Sequence, residues 1–221
     1  MVSGQSEIVG IIRGNEMNDL TISPSPPEKK PLPGVVVLGR FQPFHKGHEL
    51  LIMAAEQWRV TNMPESELII AIGSSNRPET LRNPWLASER ECMVRAWADS
   101  VDEMGEIQIV SIPDIEDPPN WVSHAERYHG ESGVLFTSDS FTADLYKEGG
   151  WDVEASPLED RDLYEGWRVR ETSRMMSTIV DIGAVREVLG ATVPLPVIDY
   201  LVRIDGLKRL AFLGEGGEPV G

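Results

Sequence analysis

Two histidines three residues apart, His45 and His48, flank Gly47 in the run Gly39-Arg40-Phe41-Gln42-Pro43-Phe44-His45-Lys46-Gly47-His48. At the opening of a helix that spacing turns both imidazoles to one side, where they can meet the same polyphosphate. A helix start also presents unpaired N–H groups and a favourable dipole to an anion, and Gly47 lets the backbone come close. A metal pair would want further imidazole or thiolate ligands. The other two histidines, His124 and His129, lie on a distant segment and read as surface or locally bonded residues, and Cys92 is the only cysteine. Cys92 itself reads as a small buried residue on a helix, and a lone cysteine excludes an intramolecular disulfide, in keeping with a reducing compartment. Neither the G-x-G-x-x-G nor the G-x-x-x-x-G-K-[ST] pattern occurs, which removes the main support for a dehydrogenase or an ATPase.

Charge sharpens the reading. The 221 residues carry 36 acids against 20 bases, a formal net charge of −16, which opposes a nucleic-acid backbone. A site for a nucleoside triphosphate must then be locally basic within an acidic surface, so arginines in loops are informative. No apolar stretch is long enough for a membrane span or a signal-peptide core, and a cytoplasmic location is expected.

The elements that would position these residues follow from periodicity. Residues 1–33 lack a sustained pattern and end in Ser23-Pro24-Ser25-Pro26-Pro27-Glu28-Lys29-Lys30-Pro31, which suggests a flexible extension ahead of one domain at 34–221. From Gly34 onward, short apolar runs alternate with helical patterns, the mark of βαβ units. Strands are expected at Val35–Leu38, Leu68–Ile72, Ile107–Ile112, Val134–Thr137 and Trp151–Val153. Helices are expected around Leu50–Trp58, Met93–Val101, Trp121–Tyr128 and Phe141–Lys147, and the chain after Val169 reads as helical. Trp58 and Trp97 fit apolar helix faces. The fold class is therefore α/β: a Rossmann-like open parallel sheet of about five strands, helices on both faces, and a helical C-terminal part. The histidine pair falls between the first strand and the first helix, at the edge of such sheets where ligands gather.

The run around His45 and His48 resembles the (T/H)xGH signature of nucleotidylyltransferases, in the form found in archaeal-type nicotinamide mononucleotide (NMN) adenylyltransferases. Gly73-Ser74-Ser75, Thr80-Leu81-Arg82-Asn83-Pro84-Trp85 and Ser88-Glu89-Arg90 resemble further segments of that family in the same order, as do Pro113-Asp114-Ile115-Glu116, Trp121-Val122-Ser123-His124, Pro157-Leu158, Arg161-Asp162 and Ile204-Asp205-Gly206-Leu207-Lys208-Arg209. The resemblance implies AMP transfer from ATP to NMN, giving NAD and pyrophosphate. It assigns His45 and His48 to catalysis together with Arg170 or Arg174, and ATP contacts to Gly39, Arg40, Phe41, Gln42, His45, Gly47 and His48. Arg82 and Trp121 are assigned to NMN. It also implies Mg²⁺, no dedicated metal cage in the protein, and a homo-oligomer; Asp114 and Glu116 are minor metal candidates. Two departures stand out. The family's second phosphate motif falls on Tyr164-Glu165-Gly166-Trp167-Arg168-Val169-Arg170, where Trp167 replaces a threonine, so Thr172 and Ser173 offer substitute hydroxyls. Pro118 occupies a position where the family usually has an asparagine. Another acceptor, such as phosphopantetheine, a flavin nucleotide or an alcohol phosphate, would use the same chemistry, and a catalytically weak nucleotide sensor would be a different class of protein.

Overall fold

The computed structural model describes residues 20–77, 79–102, 104–156 and 161–213. Five strands, β1 (Val35–Gly39), β2 (Leu68–Ile72), β3 (Ile107–Ser111), β4 (Val134–Thr137) and β5 (Asp152–Ala155), form one parallel sheet in the order β3-β2-β1-β4-β5. Side chains of a strand alternate between faces. Val35 and Val37 of β1 and Leu68, Ile70 and Ile72 of β2 accordingly enter one core, while Val36, Ile69 and Ala71 enter the other. Burial on both faces is why β2 is apolar at every position.

Helices cover both faces. The first core is closed by α1 (Lys46–Asn62) and α2 (Ala87–Ala98) through Leu51, Ile52, Ala55, Met93, Val94 and Trp97, with Trp58 packed at its margin. The second is closed by α3 (Trp121–His129) and α4 (Ser140–Glu148) through Val122, Ala125, Tyr128 and Tyr146. The C-terminal helices α5 (Gly166–Met175), α6 (Ile182–Leu189), α7 (Leu195–Arg203) and α8 (Arg209–Phe212) add Val169, Leu189, Ile198, Leu201 and Leu210 to the first core. They are therefore part of the same body as the sheet. Arg209 fastens α8 to α2 through two bonds of 2.7 Å to the Glu89 carboxylate. Among the described residues no helix is long and apolar enough to cross a membrane.

Three details differ from the sequence reading. Trp151 is not in β5: its ring is buried and its Nε1–H donates to Glu126, which pulls the strand start to Asp152. Cys92 is exposed, because the inward face of α2 is taken by Met93, Val94 and Trp97. The extension expected over 1–33 also needs correction in its second half; residues 1–19 lie outside the described residues. From Thr21 to Pro33 the chain runs as an extended strap along the domain. Carbonyls of Thr21, Ser23 and Pro24 accept bonds from Asn76, Ser75 and Tyr128, Lys30 pairs with Glu131, and Pro31 is buried. A proline-rich composition resists helix and sheet, yet its carbonyls remain open to side-chain donors, and periodicity carries no signal for that kind of docking.

At the C-terminal end of α3, buried against α4, His129 places Nδ1 2.9 Å from the Gly130 carbonyl and Nε2 2.8 Å from the Tyr146 hydroxyl. Nδ1–H donates and Nε2 accepts, so the ring is held neutral. Burial pushes its pKa down to about 4, partly offset by its backbone hydrogen bonds. An unfolded histidine titrates near 6.5, so this stabilisation is complete above that pH and is lost as pH falls towards 4. The full displacement corresponds to about 3 kcal/mol. Denaturant unfolding from pH 7 to 4.5 is expected to show a steeper loss of stability for the wild type than for His129→Gln. Parallel curves for the two proteins would show that the ring does not titrate with unfolding.

Candidate active site

The sheet order reverses between β1 and β4, which opens a crevice at the carboxyl end of β1. The Gly39–His48 turn lies there. His45 is the N-cap of α1, with extended backbone, and its carbonyl accepts from the N–H groups of His48 and Glu49. The two imidazoles stack with centroids 3.7 Å apart. The His45 N–H donates to His48 Nδ1 at 3.2 Å, so a neutral His48 carries its proton on Nε2 and serves as a donor there. His45 Nδ1 is buried and has no hydrogen-bond partner.

Burial and neighbouring positive charge keep the pair neutral. Burial, followed by the Arg170 charge, lowers the His45 pKa to about 4. His48 is held well below 6.5 by burial, then by His45 and Arg40. An entering polyphosphate would oppose these effects and favour protonation.

The turn is anchored from every side. Phe41 and Phe44 are buried and pack against the His48 ring, with centroids 4.7 and 5.7 Å away. Phe41 has φ 51°, a left-handed conformation that a bulky residue adopts only where packing enforces it. Gln42 exchanges two hydrogen bonds with the backbone of Trp85, so its side chain joins the turn to the Arg82 segment. The space left by Gly47 is taken by the chain itself: a Cβ there would lie 2.7 Å from Tyr164 Cβ and 3.1 Å from the His45 ring. Gly39 likewise lies under the Phe41 ring, while Arg40 is exposed at the rim.

Arg170 reaches the same place from α5, donating from Nη1 to the Gln42 carbonyl at 2.9 Å. This contact, with its effect on His45, separates Arg170 from Arg174, one helical turn further on. Both nevertheless line one cavity of about 170 Å³, and Arg82, expected beside the acceptor, lines it too, with Leu81, Trp167, Glu171 and Leu210. Three arginines on two segments thus converge within a chain of net charge −16. The substitute hydroxyls do not join them. Ser173 is fully buried and donates to the Val169 carbonyl; Thr172 donates to the Arg168 carbonyl and faces an adjoining cavity of about 360 Å³. Both bonds follow from a helix interior, where a hydroxyl reaches the carbonyl four residues back. Trp167 lines both cavities, 53% exposed, with its Nε1–H on Glu165 and the Arg168 guanidinium 4.9 Å from the ring centroid. Pro157 and Leu158 lie outside the described residues.

Trp121 opens α3, half-buried against the second core, its ring 5.8 Å from that of His124. His124 Nε2 lies 2.9 Å from the Pro113 carbonyl, so His124 is buried and locally bonded. Asp114 and Glu116 are engaged by Arg77 at 2.6 and 2.9 Å, and among the described residues no group of His, Cys, Asp and Glu is placed to hold a metal ion.

One residue to which the sequence reading gave no role is central. Arg90 is buried and charged, its Nη1 donating to the carbonyls of Arg40 and Gly73 at 2.7 Å each, its Nη2 to Ser74 at 3.1 Å. It knits the histidine turn to the loop after β2. The signal was present: Arg90, Met93, Val94 and Trp97 share the 3–4 spacing of one helix face.

A stacked histidine pair at the carboxyl end of a central parallel strand, faced by converging arginines, defines a nucleotidyltransferase of the HxGH type. Residues 36–148 match the cytidylyltransferase-like family. The chain is 32% identical over 184 residues to a nicotinamide-nucleotide adenylyltransferase of Halorubrum lacusprofundi, covering 80% of this chain and 91% of that one. It is 34% identical over 177 residues to one from Pyrococcus horikoshii, covering 78% and 84%. The chain belongs to the nicotinamide-nucleotide adenylyltransferase family. Its fold is also similar to that of a bifunctional NMN adenylyltransferase/ADP-ribose pyrophosphatase from Francisella tularensis, with TM-score 0.51 and 21% identity over 65% of this chain and 42% of that longer one.

Proposed function

We propose that this chain transfers AMP from ATP to NMN, with residues 34–221 as the catalytic unit, His45, His48, Arg170 and Arg174 on the triphosphate, and Arg82 and Trp121 on NMN, Trp121 at the nicotinamide ring. The observation that carries this reading is the joining of the stacked histidines to Arg170 through the Gln42 carbonyl, beside a cavity lined by three arginines. A phosphate oxygen of NMN attacks the α-phosphorus of ATP in line. The new P–O bond forms as the bond to the β-phosphate bridging oxygen breaks, and that electron pair leaves with pyrophosphate. The nucleophile is already anionic, so no general base is needed, and the protein's contribution is alignment of two anions and stabilisation of the charge that develops. Forked guanidinium groups suit that task better than ammonium groups. The residues fit a divalent cation, expected to be Mg²⁺, only if it is held mainly by the substrate's phosphate oxygens and water. A cytoplasmic homo-oligomer that does not bind nucleic acid completes the reading.

ATP plus NMN with detection of NAD tests the reaction, and phosphopantetheine and flavin mononucleotide as acceptors test its specificity. Pyrophosphate release with another acceptor but not with NMN would overturn it. The acceptor site has its own test. Stacking an indole on a cationic pyridinium contributes roughly 1 to 2 kcal/mol, so Trp121→Ala is expected to weaken NMN binding about 5- to 30-fold and leave ATP binding nearly unchanged. The reduced form of NMN, whose nicotinamide ring carries no charge, should be less sensitive. Equal losses for ATP, NMN and reduced NMN would mean that Trp121 only packs.

A further inference from the structure

The loop after β2 carries a polar clamp that the transfer chemistry does not use. Asn76 donates from Nδ2 to the carbonyls of Thr21 and Asp114, at 3.0 Å each, and its Oδ1 accepts from the Asp114 N–H at 2.8 Å. One amide thus ties together the loop after β2, the loop after β3 and the N-terminal strap. Its neighbours reinforce the same join. The Ser75 N–H donates to the Ile112 carbonyl at 3.0 Å, the Ser75 hydroxyl to the Ser23 carbonyl at 3.3 Å, and Arg77 pairs with both Asp114 and Glu116. Glu116 has φ 52°, a left-handed backbone that a glutamate holds only when its surroundings impose it.

The gripped segment leads to the proposed acceptor residue. After Asp117 the chain makes a short 3₁₀ turn, Pro118–Asn120, and enters α3 at Trp121. From the helix side, His124 meets the Pro113 carbonyl, and Tyr128 returns to the strap with a 2.9 Å bond to the Pro24 carbonyl. The contacts close a ring: strap, Asn76, Asp114, Pro113, His124, Tyr128 and strap again.

We propose that Asn76 is a positioning residue for the acceptor half of the site, and that residues 21–24 of the strap complete its clamp on the loop that delivers Trp121. This rests on the assignment of Trp121 to the acceptor. Asn76 and residues 21–24 belong to neither apolar core, so loosening their contacts acts on the placement of Trp121 more than on global stability. Asn76→Ala removes all three bonds. Asn76→Asp loses both donated bonds and sets a second carboxylate beside Asp114.

Steady-state kinetics with both substrates, together with thermal melts, test the proposal. Asn76→Ala and Asn76→Asp are expected to raise KM for NMN about 10-fold, with KM for ATP and kcat within about 3-fold of wild type. Deleting residues 2–24 removes the strap carbonyls without touching Asn76 and is expected to raise KM for NMN several-fold in the same selective way. Tyr128→Phe, which loses only the bond to Pro24, should shift it in the same direction by less. If the Asn76 variants fail to fold, the deletion and Tyr128→Phe still decide the matter. Equal rises in both KM values, or no change in either, would overturn the clamp. Trp121→Ala in the same assay separates the two ideas. If it weakens NMN while Asn76→Ala and the deletion do not, the clamp alone fails; if it leaves NMN unaffected, the acceptor assignment fails.

Discussion

His48→Ala is expected to lower the rate of adenylyl transfer by about 10²-fold or more, the scale of losing one preorganised donor to developing charge. The tautomer argues for this size of effect. Because His48 Nδ1 is occupied by the His45 N–H, its donor sits on Nε2, fixed by the Phe41 and Phe44 rings and by the His45 stack. A donor held in this way needs no reorganisation when charge shifts among the oxygens around the transferring phosphorus, whereas water replacing it would. The substitution should leave the fold intact, since α1 keeps its backbone N–H bonds to the His45 carbonyl and the strand core is untouched. Single-turnover rates with ATP and NMN, beside a thermal melt, measure both halves of the claim. A folded His48→Ala protein turning over at near-normal speed would remove His48 from the site. His48→Gln, which can place an amide N–H in the same region, should recover part of the loss.

The second large effect concerns stability. Arg90→Ala should cost about 3 to 5 kcal/mol, because it strips the carbonyls of Arg40, Gly73, Ser74 and Leu86 of a charged partner in a buried setting and leaves a cavity under the loops. Burial, then the Arg40 charge, lowers the Arg90 pKa to about 10, so the guanidinium is still charged at neutral pH and its bonds are charge-assisted. Arg90→Lys keeps the charge but cannot present the planar fork that reaches Arg40, Gly73 and Ser74 together, and should recover only part of the stability. Denaturant unfolding gives the free energies. KM values for both substrates should rise in Arg90→Lys, since the histidine turn and the loop after β2 lose their common fastening. An Arg90→Ala protein within 1 kcal/mol of wild type would show that backbone contacts alone hold these loops.

Local pattern carried much of the molecule. Five apolar runs of strand length, separated by amphipathic helices, dictate a parallel sheet covered on both faces, and the alternation of Val35, Val36 and Val37 between two cores is that pattern realised. The histidine turn was legible for the same reason: its residues are contiguous, and their place between a strand and a helix follows from the chain order. Everything that depends on segments distant in sequence was decided by the tertiary structure. Arg82 and Arg170 are 88 positions apart in the numbering, and only the seating of α5 against the Gln42 turn, through Arg170, puts both on one cavity. Ser173 has the composition of a phosphate ligand, yet the rotation of α5 buries it and spends its hydroxyl on Val169. The strap of residues 21–33 has no periodic face, so its docking rests on carbonyls meeting Ser75, Asn76 and Tyr128, and such bonds leave no mark on composition. Spacing along the chain specifies what a residue's immediate backbone will do; which distant partner satisfies its polar atoms is fixed only when the cores close.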